Sequence, residues 1–159
     1  MVGRQKIIDY IKNKTMGQIE DKIALKELVD TYAIYGDERK MKEQAALFSE
    51  NAIVELYFGG QLASTLHGRQ EIEDTFTAFL KDFETSYHFN GQQTVILNDN
   101  TATGIAYCTV TLIGVENGKN MKTTFGIHYN DEYTRVNNQW QISRRKSIFG
   151  WQDKAELGI

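Results

Sequence analysis

An α+β fold is predicted for this chain, in which amphipathic helices from the first half cover a strongly curved, mixed or antiparallel sheet built mostly by the second half. Three observations carry that prediction. Leu25, Leu28, Val29, Tyr32 and Tyr35 fall on one face of a helix. Ile72, Phe76, Phe79, Leu80 and Phe83 repeat the helical period, at offsets of four, seven, eight and eleven residues. From Ser86 to Phe149 the period changes to two, with Asn98-Asp99-Asn100, Glu116-Asn117-Gly118 and Asn137-Asn138 as turn clusters at hairpin spacing. Helices first and long strands afterwards make an α+β arrangement. A sheet this curved, closed by helices, is cone-like and encloses a mostly apolar pocket with a few polar groups.

Taken in order, residues 1–14 predict a short amphipathic helix through Ile7, Ile8 and Ile11. Thr15 and Gln18 have capping-box spacing and mark the start of a long helix that runs to about Tyr35, where Gly36-Asp37 breaks it. A second helix over about 38–48 places Met41, Ala45 and Phe48 on one stripe. Residues 51–58 read as a strand, Gly59-Gly60 as a hairpin turn and 61–67 as the return strand. The third helix and the antiparallel meander follow. No linker or repeat divides the chain, so the reading is one domain over 17–151, an extension over 1–16 and a tail over 152–159.

At 159 residues the chain is long enough to bury roughly 70% of the surface its unfolded form exposes. Its net charge of −3, with no basic stretch longer than Arg144-Arg145-Lys146, argues against a nucleic-acid partner. On a strand, Arg144 and Arg145 face opposite ways. The single cysteine, Cys108, excludes an internal disulfide and reads as a small buried hydrophobe. No apolar run reaches the ~20 residues that span a bilayer, and charge interrupts the N-terminal isoleucines where a secretory leader is continuous, so a cytoplasmic protein without a membrane partner is expected. His67, His88 and His128 lack the close pairing of a zinc site, so no metal is expected. Neither a glycine-rich phosphate loop nor a Gly-x-Ser-x-Gly elbow is present, and no cofactor is expected.

The candidate chemistry gathers where the first long helix ends on tyrosines and Asp37 follows. Asp37 either caps a helix beginning at Glu38, a role worth about 1 kcal/mol, or is a catalytic carboxylate held beside the phenol rings. His88 in turn is either a half-buried strand residue bonded to backbone or a pocket residue. Tyr32 and Tyr35 are core aromatics or ligand groups, and Tyr107, Tyr129 and Tyr133 carry the same ambiguity; Tyr129, Asp131 and Tyr133 share a strand face. Asn90 and Gln92 share the face of His88 and are candidate polar contacts. Arg144 and Arg145 are each candidate partners for a carboxylate-bearing ligand, with a surface role as the alternative.

Several motifs occur together and in register: Tyr32-Ala33-Ile34-Tyr35-Gly36-Asp37, Leu47-Phe48-Ser49-Glu50-Asn51-Ala52, Gly68-Arg69, His88, Asp99-Asn100-Thr101-Ala102-Thr103-Gly104, Gly126 through Tyr133, and Asn138-Gln139-Trp140. In this order and spacing the chain resembles SnoaL-like proteins of the nuclear transport factor 2-like superfamily, over about residues 17–150. The pattern is most similar to the dehydratase branch that includes scytalone dehydratase and bile acid 7α-dehydratase. That resemblance implies catalytic roles for Tyr32, Asp37 and His88. The branch's second tyrosine falls at Leu56, with Tyr57 adjacent, and both are candidate ligand contacts; a later histidine falls near Gly114. The implied function is a cofactor-independent lyase or isomerase acting on a small hydrophobic carbonyl compound, with His88 as base, Asp37 orienting it and Tyr32 stabilising an enolate. A homodimer or higher homo-oligomer is implied as well. The alternative is a non-catalytic ligand-binding or assembly module resembling the β subunit of ring-hydroxylating dioxygenases, its pocket plugged by side chains such as Phe83, Phe89 and Trp151.

Overall fold

The structure, a computed structural model, describes residues 2–158, and the side chains at 2–4, 7, 10, 11 and 13 are outside the description. Three helices and six strands follow in the order α1 (Val2–Asp37), α2 (Met41–Ala46), β1 (Phe48–Phe58), β2 (Gln61–His67), α3 (Gly68–Leu80), β3 (Thr85–Asn98), β4 (Thr101–Glu116), β5 (Lys119–Val136) and β6 (Gln139–Glu156). The strands form one sheet in the order β2-β1-β6-β5-β4-β3. All neighbours are antiparallel except β1 and β6, which are parallel. The sheet is therefore mixed, because the chain leaves β1, builds the meander and returns to pair its last strand with the first long one. This is the α+β architecture that the sequence pattern predicts.

The elements differ from the sequence reading at their ends. No break occurs at Thr15: α1 is continuous through it, since Gly17 costs a helix only about 1 kcal/mol and no proline interrupts. Of the three isoleucines assigned to a separate first helix, Ile8 is exposed, and the Ile7 and Ile11 side chains lie outside the description. The second helix is shorter than 38–48. It stops at Ala46 because the Leu47 carbonyl accepts from the Ile142 N–H of β6 at 3.0 Å, and Phe48 is already paired with Ile142. Similarly, α3 ends at Leu80 and leaves Phe83 beyond it, its ring against Phe79 at 5.7 Å. Strand β6 continues past Phe149, and residues 151–156 pair with β5.

Tight turns of positive φ join the meander: Asp99, Asn117-Gly118 and Asn137-Asn138 all have φ between 50° and 76°. Such turns match the right-handed twist of the strands they connect. Within β4 the alternation is regular, with Ala102, Ala106, Cys108, Val110 and Leu112 buried under the helices. They meet Leu25, Val29 and Tyr32 of α1, Phe48, Ala52 and Val54 of β1, and Ile72 and Leu80 of α3 in one core.

Two of the resemblance motifs turn out to be anchors of this architecture. Gly68, at φ +77°, turns β2 into α3, and Arg69 Nε donates to the Phe48 carbonyl at 2.7 Å, tying α3 to β1. Trp140 Nε1 donates to Asp21 at 3.0 Å, and the Arg135 guanidinium both stacks on the Trp140 ring and pairs with Asp21. That cluster fastens the middle of α1 to the far end of the sheet.

Bulges bend the sheet and change which side chains face inward. In β3 the register shifts between Asn90 and Gln93, so the inward face passes from Ser86, His88 and Asn90 to Gln93, Val95 and Leu97. In β6 the shift falls at Ser143, between the pairs Tyr133–Ile142 and Glu132–Arg144. Trp140 and Ile142 are followed on the inward face by Arg145 and Ser147, and Arg144 is turned outward.

Candidate active site

Between the helices and the concave side of the sheet lies a cavity of about 330 Å³. Its wall is aromatic at Phe58, Phe76, Phe79, Phe125 and Phe149 and aliphatic at Leu56, Leu80, Val110, Leu112 and Ile127. Six of the lining residues have polar side chains: Tyr32, Gln44, Thr75, His88, Tyr129 and Ser147. An apolar cavity with few polar groups is the usual form of a small-molecule site.

His88 is held by the end of α1. Its Nδ1 lies 2.6 Å from Asp37 Oδ1, and its backbone N–H donates to Asp37 Oδ2 at 3.0 Å. The carboxylate thus grips both ring and main chain. It is not a cap for the next helix: α2 begins at Met41, its first turn has Lys40 at the cap position without a side-chain bond, and α1 closes through Arg39 at φ 60°. In the neutral tautomer whose Nδ1–H donates to the carboxylate, Nε2 is the acceptor nitrogen.

Gly36 makes this approach sterically open. A Cβ there would lie 2.8 Å from Gln44 Nε2 and 3.3 Å from His88 Cε1. Gln44 Nε2 itself donates to the Tyr32 carbonyl at 2.9 Å, which joins α2 to the end of α1. Gly36→Ala is therefore expected to leave stability nearly unchanged, because the gain of about 1 kcal/mol that this change brings in an ordinary helix is offset by displacing Gln44 from a hydrogen bond worth about 1 kcal/mol. Urea denaturation measures the balance, and the full gain would mean that Gln44 swings aside at no cost.

Tyr32 is buried, edge-on to Phe48, Phe76 and Tyr129 at 5.8, 6.5 and 6.2 Å. Burial raises the pKa of its phenol, and Arg145 partly opposes the rise. Burial also holds the Tyr129 phenol well above its ordinary value. Both groups are hydrogen-bond donors at neutral pH. Cys108, beneath them, has its thiol pushed up to about 11 by burial and is an inert core residue at neutral pH.

Leu56, Tyr32, His88 and Tyr129 thus meet in one cavity, with Asp37 behind His88. The remaining candidates lie elsewhere. Tyr57 faces the other side of β1 from Leu56 and Phe58. Asn90 donates to Val29 O and Asp30 Oδ1 and fastens β3 to α1. Gln92, within the β3 bulge, opens with Tyr107 onto a groove on the outer sheet face, where Tyr107 stacks on His128 at 5.6 Å. Arg144 pairs with Glu55 at 3.1 Å. The alternative of a plugged pocket is also corrected: Phe89 and Trp151 stand exposed on the outer face, and Phe83 does not reach the cavity. No side chain fits at Gly114, where a Cβ would lie 2.7 Å from the Asp82 carbonyl.

A model of the SnoaL-like domain matches residues 17–146. The chain belongs to the SnoaL-like domain family. It thereby falls within the nuclear transport factor 2-like superfamily. Solved structures agree in fold. A protein provisionally assigned as a scytalone dehydratase from Novosphingobium aromaticivorans superposes with a TM-score of 0.75 at 18% identity, covering 91% of this chain and 93% of its own. Hexachlorocyclohexane dehydrochlorinase LinA-type3 from Novosphingobium barchaimii gives 0.74 at 17% identity, covering 91% and 96%. A protein provisionally assigned as an aromatic ring hydroxylase from Novosphingobium aromaticivorans gives 0.74 at 23%, covering 87% and 94%. At such identities the likeness is one of fold. Among curated proteins, none matches the chain in sequence.

Gln44, Thr75 and Ser147, polar residues of this SnoaL-like cavity wall, escaped sequence reasoning, and so did the complete burial of Arg145. Gln44 interrupts the apolar stripe of α2, and a polar residue on a buried stripe is a signal that was there to find. Ser147 and Arg145 lie on the inward face of β6 only because of the Ser143 bulge. Arg145 is fully buried and bound twice to Asp131, Nε to Oδ1 at 2.8 Å and Nη2 to Oδ2 at 2.7 Å. Burial works to lower the pKa of its guanidinium, but Asp131 beside it carries the net shift upward, and the cation is permanent.

Proposed function

We propose that this SnoaL-like protein is a cofactor-independent lyase or isomerase that removes a proton from carbon next to a carbonyl group. The observation that carries the reading is the 2.6 Å contact between Asp37 and His88 at the edge of a mostly apolar cavity. His88 Nε2 takes the proton, Asp37 stabilises the imidazolium that forms, and the Tyr32 hydroxyl donates to the carbonyl oxygen as it gains charge. In dehydration the imidazolium then returns the proton to a β-hydroxyl. The carbon–oxygen bond breaks, a carbon–carbon double bond forms and water leaves. Without a leaving group the same proton returns at another carbon, which is isomerisation.

The five phenylalanines of the wall favour a flat, apolar substrate, and 330 Å³ limits it to a few fused rings. The test is deuterium exchange at the α-carbon of bicyclic ketones such as 1-tetralone and 2-tetralone, followed by proton NMR in heavy water. Exchange above the buffer rate in the wild type, lost in His88→Ala, is the expected result. Exchange that is equal in both proteins, or absent from the wild type across the panel, would remove the reading.

Assembly into a homodimer or higher homo-oligomer is part of the same proposal. The outer face of β3, β4 and β6 exposes Tyr87, Phe89, Ile96, Ile105, Tyr107 and Trp151, a broad apolar surface for a lone subunit. Light scattering on a dilute sample is expected to give at least twice the subunit mass of 18.2 kDa. A monomer at that dilution would count against assembly.

A further inference from the structure

The buried cation of this protein is sandwiched between two cavity phenols. Arg145 Cζ lies 4.3 Å from the ring centroid of Tyr32 and 4.0 Å from that of Tyr129. Asp131 holds the guanidinium edge with two bonds and accepts a third from the Tyr133 hydroxyl at 2.9 Å, which Gln93 reaches in turn at 3.4 Å. Arg145 Nη1 has no hydrogen-bond partner among the described residues. The charge is spent on the ring faces. Arg145 does not itself line the cavity, whereas both phenols do, and no lysine or arginine is among the lining residues.

We infer that Tyr129 is a second oxyanion-binding phenol beside Tyr32, that Arg145 and Asp131 are positioning residues for the pair, and that the substrate is uncharged until an oxyanion forms at the two hydroxyls. The inference deepens the proposed function and rests on it for the reaction in which the oxyanion arises.

The physical grounds are geometric and electrostatic. A cation over the face of an aromatic ring is attracted to it, more strongly where both are desolvated. Negative charge shifted onto the phenol oxygen is stabilised by the same cation, so each O–H becomes a better donor to an anionic acceptor. Burial keeps both phenols protonated, and Arg145 opposes that rise more than Asp131 adds to it. Two donors on neighbouring rings, 6.2 Å apart on α1 and β5, can satisfy both lone pairs of one oxygen. A ligand that carries a carboxylate or phosphate finds no countercharge in this wall, and burying such a group unpaired is costly.

The test uses 2-naphthol and ring-substituted naphthols of graded acidity, with naphthalene as the uncharged control, and reads binding and ionisation from naphthol fluorescence. Affinity is expected to rise with probe acidity in the wild type, and bound 2-naphthol is expected to ionise at lower pH than free. Tyr129→Phe, which keeps the ring, is expected to weaken naphtholate binding about tenfold or more, as loss of a hydrogen bond to a charged group does, and to leave naphthalene binding unchanged. Arg145→Met combined with Asp131→Asn removes both charges together and is expected to flatten the acidity trend while the fold persists. Affinity independent of acidity in the wild type, or a trend that survives both variants, would overturn the inference.

These probes offer no proton for His88 to abstract from carbon, so the acidity trend reports the phenol pair and not the carbon-acid reaction. Failure of ketone exchange with the naphthol trend intact would remove the lyase reading alone. Exchange with no naphthol trend would remove the phenol pair alone.

Discussion

Replacing Arg145 by alanine is expected to destabilise the protein by about 3–5 kcal/mol, the usual result of removing one partner from a buried ion pair. For a domain of this size that corresponds to a fall in Tm of about 10 °C or more. The reason lies in what is left behind. Asp131 is 2% exposed, and without Arg145 its only remaining side-chain partner among the described residues is the Tyr133 hydroxyl. Tyr32, Phe48 and Tyr129 would also lose the group that fills the space between their rings. Asp131→Asn combined with Arg145→Met is expected to recover most of the loss, because neither desolvated charge remains and the methionine retains much of the volume. Calorimetry and urea denaturation of the single and double variants measure this. A single substitution costing under about 1 kcal/mol would show that the pair is solvated and does not hold the core.

His88→Ala is expected to lower the rate of proton abstraction roughly 10²–10⁴-fold, the range that a positioned general base supplies. Little stability should be lost with it, since the carboxylate released is about a quarter exposed and can be hydrated. Asp37→Asn tests the other half of the dyad. A carboxylate can only accept from Nδ1–H, whereas an amide can rotate and donate to Nδ1, which places the proton on Nε2 and removes the base. Nitrogen-15 NMR of the imidazole is expected to report Nδ1–H in the wild type and a mixture or the reversed tautomer in the variant, with activity falling alongside. If the tautomer is unchanged and activity persists, Asp37 serves only to dock the end of α1 on β3.

The amino-acid sequence by itself determined the alternation of helix and strand, the hairpin turns and the family. These are local properties. The apolar period of α3, the alternation along β4 and the asparagines and glycines at positive φ follow from residue type and neighbours alone. It also brought Tyr32, Asp37 and His88 forward as a group, through the resemblance to the dehydratase branch.

Tertiary structure decided where the helices stop and which side chains meet. Leu47 reads as helical until β6 claims its carbonyl, and Asp37 reads equally well as a cap until His88 is found 2.6 Å away. The largest differences came from two extra residues. One bulge in β3 sends Gln92 to the outer face and brings Gln93 in; another in β6 exchanges Arg144 for Arg145. A strand's side chains alternate with a period of two, so one inserted residue reverses every face beyond it, and whether a residue is inserted depends on pairing with a strand far away in the chain. The buried cation between the two phenols is a product of that pairing.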